Sequence, residues 1–175
     1  MTRWTRRLLV GAIAILVPAL AGCEAGYNAP TLQYHSASNG VSKTVNGIEL
    51  DNVFVRGPAR NQTLPAGGQA GLFLSLSAPD HDQLVSASAP GAASSVQLLN
   101  GPVTLSPGAV VNLSGPAPLI VLNNLTNPLS GGETLQLVLN FANAGKVTLT
   151  VPVQPAAYDY ATFSPPPSPS ATATP

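Results

Sequence analysis

Sulfur, imidazole and charge are all scarce in this chain. Its 175 residues include one Cys, one Met, one Trp and two His, and only 8% carry Asp, Glu, Lys or Arg. A single Cys excludes an internal disulfide. Seven basic residues against seven acidic ones leave no patch able to neutralise a run of phosphates, so nucleic acid is not a partner. No Gly-x-Ser-x-Gly elbow accompanies the two His residues, and no Gly-rich phosphate cradle follows a strand, so neither a hydrolase triad nor a nucleotide site is indicated. What is plentiful also excludes: 16 Gly and 18 Pro interrupt the sequence too often for an all-α fold. A hydrophobic content of 45% is too high for a wholly disordered chain.

The N-terminus has the pattern of an export signal. Arg3, Arg6 and Arg7 precede an apolar run from Leu8 to Leu20, which ends at Ala21-Gly22-Cys23. The run is shorter than the roughly 20 residues needed to span a bilayer. Thr5-Arg6-Arg7-Leu8-Leu9 partly matches a twin-arginine signal, and ordinary secretion fits as well. Leu20-Ala21-Gly22-Cys23 resembles the lipobox of bacterial lipoproteins. That resemblance implies cleavage between Gly22 and Cys23 and a diacylglyceryl group on the Cys23 sulfur. Two acyl chains anchor stably, because each buried methylene contributes about 0.8 kcal/mol. The processed chain keeps Lys43, Arg56, Arg60 and Lys146 against Glu24, Glu49, Asp51, Asp80, Asp82, Glu133 and Asp159, a formal −3. No polybasic segment remains to assist the lipid.

Three segments follow residues 1–22. Residues 23–46 read as the lipidated Cys and a flexible tether, polar and without apolar periodicity, spanning roughly 25–30 Å as a coil. Residues 47–155 read as one all-β domain, and residues 156–175 as a disordered Pro/Ser/Thr tail biased toward polyproline II. Within the domain, Leu135, Leu137, Leu139 and Phe141 alternate along the clearest strand, Thr134 to Phe141. Asn143-Ala144-Gly145 then turns into Lys146 to Val151, giving a hairpin with Gly145 at the positive-φ position. Leu72–Ser77, Leu84–Ala89, Val96–Leu99 and Leu119–Leu122 are further strands. The aliphatic parity of Ile48-Glu49-Leu50 and Val53-Phe54-Val55 is opposite, which predicts a bulge near Asp51-Asn52. Seven to nine short strands at this spacing indicate a sandwich or barrel.

Four stretches, in order, resemble a known family: Asp82-Gln83-Leu84-Val85, Ser95-Val96-Gln97-Leu98-Leu99, Leu125 to Glu133, and Phe141-Ala142-Asn143-Ala144-Gly145-Lys146-Val147. They are similar to the PCu(A)C-type periplasmic copper chaperones, over roughly residues 47–153, and most similar to the LpqE-like lipoproteins of mycobacteria and other actinobacteria. The resemblance implies a Greek-key, cupredoxin-like β-sandwich. It also implies copper held by His and Met, and there this chain departs from the pattern. The family's first His would fall at Leu99, and its His-x-Met pair at Leu119 and Val121. Cu(I) prefers thiolate, thioether and imidazole ligands. Once Met1 leaves with the signal, the domain over residues 47–155 offers no thiolate or thioether, the alkylated Cys23 standing outside it, and the only His residues are His35 and His81.

Two substitute sites suggest themselves. Asp80-His81-Asp82 places two carboxylates and an imidazole in one turn, a weak candidate for Zn²⁺ or Cu²⁺ with His35 assisting. A solvated polar turn is the simpler reading. Glu49 and Asp51 lie two apart on one strand, expected at a sheet edge, where paired acids usually deter aggregation and only rarely hydrolyse glycosides. The expectation is therefore a non-enzymatic binding or scaffolding module without a cofactor, lipid-anchored at the outer face of the cytoplasmic membrane or in the cell envelope. Its partner would be an envelope protein or lipid, met through a patch formed by Leu99, Leu119 and Val121. The alternative is a metal carrier or homeostasis protein with a site of its own.

Overall fold

The computed structural model describes residues 40–167. Gly22, Cys23, His35, the export signal and most of the tether lie outside the described residues, as does the tail from 168 onward. Among the described residues there are twelve strands and no α-helix, more strands than the seven to nine expected. They are β1 (Val41–Val45), β2 (Ile48–Arg56), β3 (Thr63–Leu64), β4 (Ala70–Ser77), β5 (Asp82–Ser88) and β6 (Ala93–Leu98). The second half supplies β7 (Val103–Leu105), β8 (Val110–Asn112), β9 (Ile120–Leu125), β10 (Leu129–Ser130), β11 (Thr134–Phe141) and β12 (Gly145–Gln154). The extra strands are two or three residues long, apart from β1, and carry too little apolar alternation to register as strands in sequence.

The main sheet runs β6-β9-β4-β2-β12-β11-β5-β7, with β1 added on β2 and β8 on β4. It curls on itself into two layers. The long strand β12 pairs with β11 along eight residues but meets β2 only at Val153 and Gln154, in parallel. One layer is thus β6, β9, β4, β2 and β1, the other β12, β11, β5 and β7. A separate ribbon joins β10 to β3. Alternation along the strands fills the space between layers: Leu72, Leu74 and Leu76 from β4, Leu135, Leu137 and Leu139 from β11, and Val147, Leu149, Val151 and Val153 from β12 form one aliphatic core. Each such side chain contributes about 1.5–3 kcal/mol by leaving water.

Local chemistry sets the turns. Phe141 pairs with Gly145 across a three-residue loop, and Gly145 has φ +74°, where a Cβ is strained. The predicted bulge is present: the β2–β4 register shifts between Asp51 and Phe54, and Asn52 has φ +51°. That shift lets Val53 and Val55 face the core while Phe54 points out of it, all three fully buried.

At both ends of the domain the structure departs from the sequence reading. β1 lies within residues read as tether. Val45 pairs with Ile48 across Asn46-Gly47, both at positive φ, a two-residue turn of the kind Asn-Gly favours. At the other end, residues read as tail form a 3₁₀ turn, Tyr158–Thr162. Tyr160 and Phe163 there pack edge-on against Phe54 at 4.8 and 5.3 Å between ring centres, and Phe163 meets Phe73 at 4.8 Å. Phe54 and Phe73 are themselves stacked at 5.2 Å. This aromatic strap covers the outer face of β2 and β4. The Ser164 N–H fastens it to the Pro116 carbonyl at 2.6 Å, and Arg60 lies over the Tyr158 ring at 4.5 Å.

Candidate functional site

The three aliphatic residues at the expected ligand positions do not form one exposed patch. Val121, expected at that surface, is 2% exposed: it pairs with Gly71 and Gln97 inside the sheet, on the side opposite its neighbours Ile120 and Leu122. Period-two alternation dictates this, because Ile120 and Leu122 occupy the main core. Leu99 and Leu119 do come together. The Leu99 N–H donates to the Leu119 carbonyl at 2.9 Å, just beyond the paired parts of β6 and β9. Leu99 is 38% exposed, while Leu119 is half-buried against the core and lines a cavity of about 220 Å³.

The Asp80-His81-Asp82 turn separates into two exposed residues and one buried one. Asp82 accepts backbone N–H bonds from Gln83 at 2.7 Å and from Asn143 and Ala144 at 2.9 Å each. Both its carboxylate oxygens are thereby engaged in fixing the β11–β12 turn to the start of β5. Burial alone would push the Asp82 pKa up, but N–H groups of Asn143, Ala144, Gln83 and Ala142 outweigh it and hold the carboxyl below its ordinary value. The Asn143 amide also donates to the His81 carbonyl at 2.9 Å. These three residues border a shallow cavity of about 260 Å³ beside the Asn46-Gly47 turn. Among the described residues no group of three or more His, Cys, Asp or Glu is placed to hold a metal ion.

Glu49 and Asp51 do share a face of β2, both exposed. The strand is not an edge, however, since β1 and β4 flank it there. Glu49 accepts a hydrogen bond from the Ser77 hydroxyl at 2.9 Å, a cross-strand pairing on the solvent face.

Sequence reasoning missed the aromatic strap and the cavity beside Leu119. The strap had a signal: Tyr158, Tyr160 and Phe163 stand directly before the Pro-rich stretch. The cavity had none, because it exists only where the end of β6, the starts of β7 and β9 and Leu113 after β8 are brought together by pairing.

The same architecture recurs in solved structures. The apo PCuAC domain from PmoF1 superposes with a TM-score of 0.55 at 19% identity, covering 66% of this chain and 99% of that domain. The copper-bound PCuAC domain from PmoF2 gives 0.53 at 22% identity, covering 66% and 98%. The fold is accordingly the cupredoxin-like sandwich of PCuAC domains. The lipoproteins LpqE of Mycobacterium bovis and Mycobacterium tuberculosis are 29% identical over 175 aligned residues, covering 87% of this chain and 88% of theirs. The LpqE-like family model matches residues 48–153, from the first residue of β2 to the penultimate residue of β12. That match takes in more than half the chain, and the chain belongs to the LpqE-like lipoprotein family.

Proposed function

We propose that this LpqE-like chain is a lipid-anchored cell-envelope protein whose PCuAC-type sandwich serves as a non-enzymatic binding or scaffolding module rather than a copper carrier. One observation carries this reading. Where the resemblance puts soft copper ligands, the sandwich carries Leu99, Leu119 and Val121, and no Met or Cys occurs anywhere from residue 24 onward. Cu(I) binding relies on thioether, thiolate and imidazole, so the fold is retained while its metal chemistry is not. The lipobox supports anchoring through Cys23, with the LpqE lipoproteins as relatives. Engagement of Asp82 by three backbone N–H groups argues against the Asp80-His81-Asp82 turn as a substitute metal site.

Three measurements on the full chain test the reading. Cys23→Ala should move the protein out of the detergent phase in a Triton X-114 partition, and unchanged partitioning would remove the anchor. Cross-linking in intact envelopes should shift the wild-type chain into a heavier complex, and a chain that stays monomeric at every cross-linker length would remove the module. Glu49→Gln and Asp51→Asn should leave any glycan- or ester-hydrolysing background of the preparation unchanged.

A further inference from the structure

At one end of the sandwich the core stops short. Between the end of β6, the start of β7 and the start of β9 lies a notch of about 220 Å³. Leu98, Val103, Leu113, Leu119 and Ile120 wall it, with the exposed Asn100 at its rim. Leu113 and Ile120 belong to the main core, and the other three pack against it. The notch is therefore continuous with the aliphatic interior, and whatever fills it extends that interior.

The surrounding sequence restricts the occupant sharply. From Gln83 to Gly132 the chain has no Asp, Glu, Lys, Arg, His, Cys, Met, Phe, Tyr or Trp. All eight residues lining the notch fall in that stretch, as do the exposed aliphatic side chains Val85, Leu99 and Val110. A metal ion would find no ligand there. A charged headgroup would lose water with no counter-charge to meet it. A sugar or nucleobase would find no ring to stack on, and a protein partner none of the Trp, Tyr or Arg anchors that dominate such interfaces. Aliphatic walls with a single amide at the mouth suit a hydrocarbon chain whose polar end is uncharged and accepts or donates one hydrogen bond.

We propose that this notch takes the end of one acyl chain of an uncharged lipid, with Asn100 meeting the ester or hydroxyl at the mouth. The assignment rests on the binding-module reading and gives it a ligand class. It places hydrocarbon where the family resemblance places copper ligands, beside the Leu99–Leu119 hydrogen bond.

The test uses the full processed chain in phosphatidylcholine vesicles with a monoacylglycerol bearing a diazirine near its chain terminus, and peptide mapping after irradiation. Labelling should concentrate on 98–103 and 113–120. Leu119→Asn, which makes the wall polar, and Val103→Trp, which fills the space, should each cut that labelling at least tenfold at an unchanged urea midpoint. Val110→Ser, an exposed aliphatic outside the lining, should leave it unchanged. Labelling absent from these segments, or indifferent to both wall substitutions, overturns the proposal. Equal labelling by a phosphate-headed probe of the same chain length overturns the uncharged headgroup. Loss of lipid labelling while the cross-linked complex persists would sink the lipid ligand alone; loss of both would sink the module as well.

Discussion

Asp82 contributes in proportion to what it holds together. Its two oxygens accept from three backbone N–H groups on two separate chain segments, and hydrogen bonds to a buried charged group contribute more than neutral ones. Asp82→Ala leaves those N–H groups without their acceptor and should cost about 1–3 kcal/mol in urea unfolding. Because backbone N–H groups hold the folded pKa below the ordinary carboxylate value, the carboxylate's stabilisation is complete above the unfolded pKa. It is lost as pH falls through the folded value. Unfolding midpoints of wild type should therefore drop on acidification below about pH 4, and Asp82→Asn should flatten that portion of the profile. Asp80 and His81 are exposed beside it, and Asp80→Ala or His81→Ala should stay within about 0.5 kcal/mol of wild type in the same assay.

Among the elements, the strap and the first hairpin show where sequence patterns stop speaking. Strands β11 and β12 were legible because both alternate over six residues or more, and the bulge in β2 was legible because aliphatic parity reverses across Asp51-Asn52. Strand β1 has the sequence Val-Ser-Lys-Thr-Val, whose middle three residues are exposed, so only Asn46-Gly47 marks it, and that dipeptide outweighs the polar composition. The strap, despite its three aromatic residues, was missed for a different reason. Its aromatic side chains pack on the outward side of β2 and β4, a face that period-two reasoning assigns to water, and Pro residues surround it. Its contribution is open to measurement. Ending the chain after Pro155 should expose Phe54 and Phe73, which are now fully buried, and destabilise the domain by about 2–4 kcal/mol. Phe163→Ala, half-buried in the wild type, should cost about 1–2 kcal/mol. Increased binding of the dye ANS by the shortened chain would accompany the loss, and an unchanged unfolding midpoint would show that the strap merely rests on the sheet.

For the molecule as a whole, the question is whether a fold shared with PCuAC domains brings copper with it. Of the candidate site, the sequence showed the missing ligands but not the notch that stands near them, since Val121 is buried within β9 while Leu119, just before that strand, turns to line the notch beside the start of β7. A Cu(I) centre needs several soft donors converging on one point. After residue 23 the chain contains only His35 and His81 as nitrogen ligands and no sulfur. Two imidazoles are fewer donors than such a centre needs, and of the two only His81, exposed on the β4–β5 turn, falls among the described residues. In competition against bicinchoninate, the processed chain should therefore take up no more Cu(I) than a variant carrying both His35→Ala and His81→Ala. Stoichiometric uptake that the double variant loses would instead establish a carrier with a site of its own. Uptake that the double variant keeps would show that oxygen donors or the Cys23 sulfur hold the ion, and would overturn the reading of this chain as a module without copper.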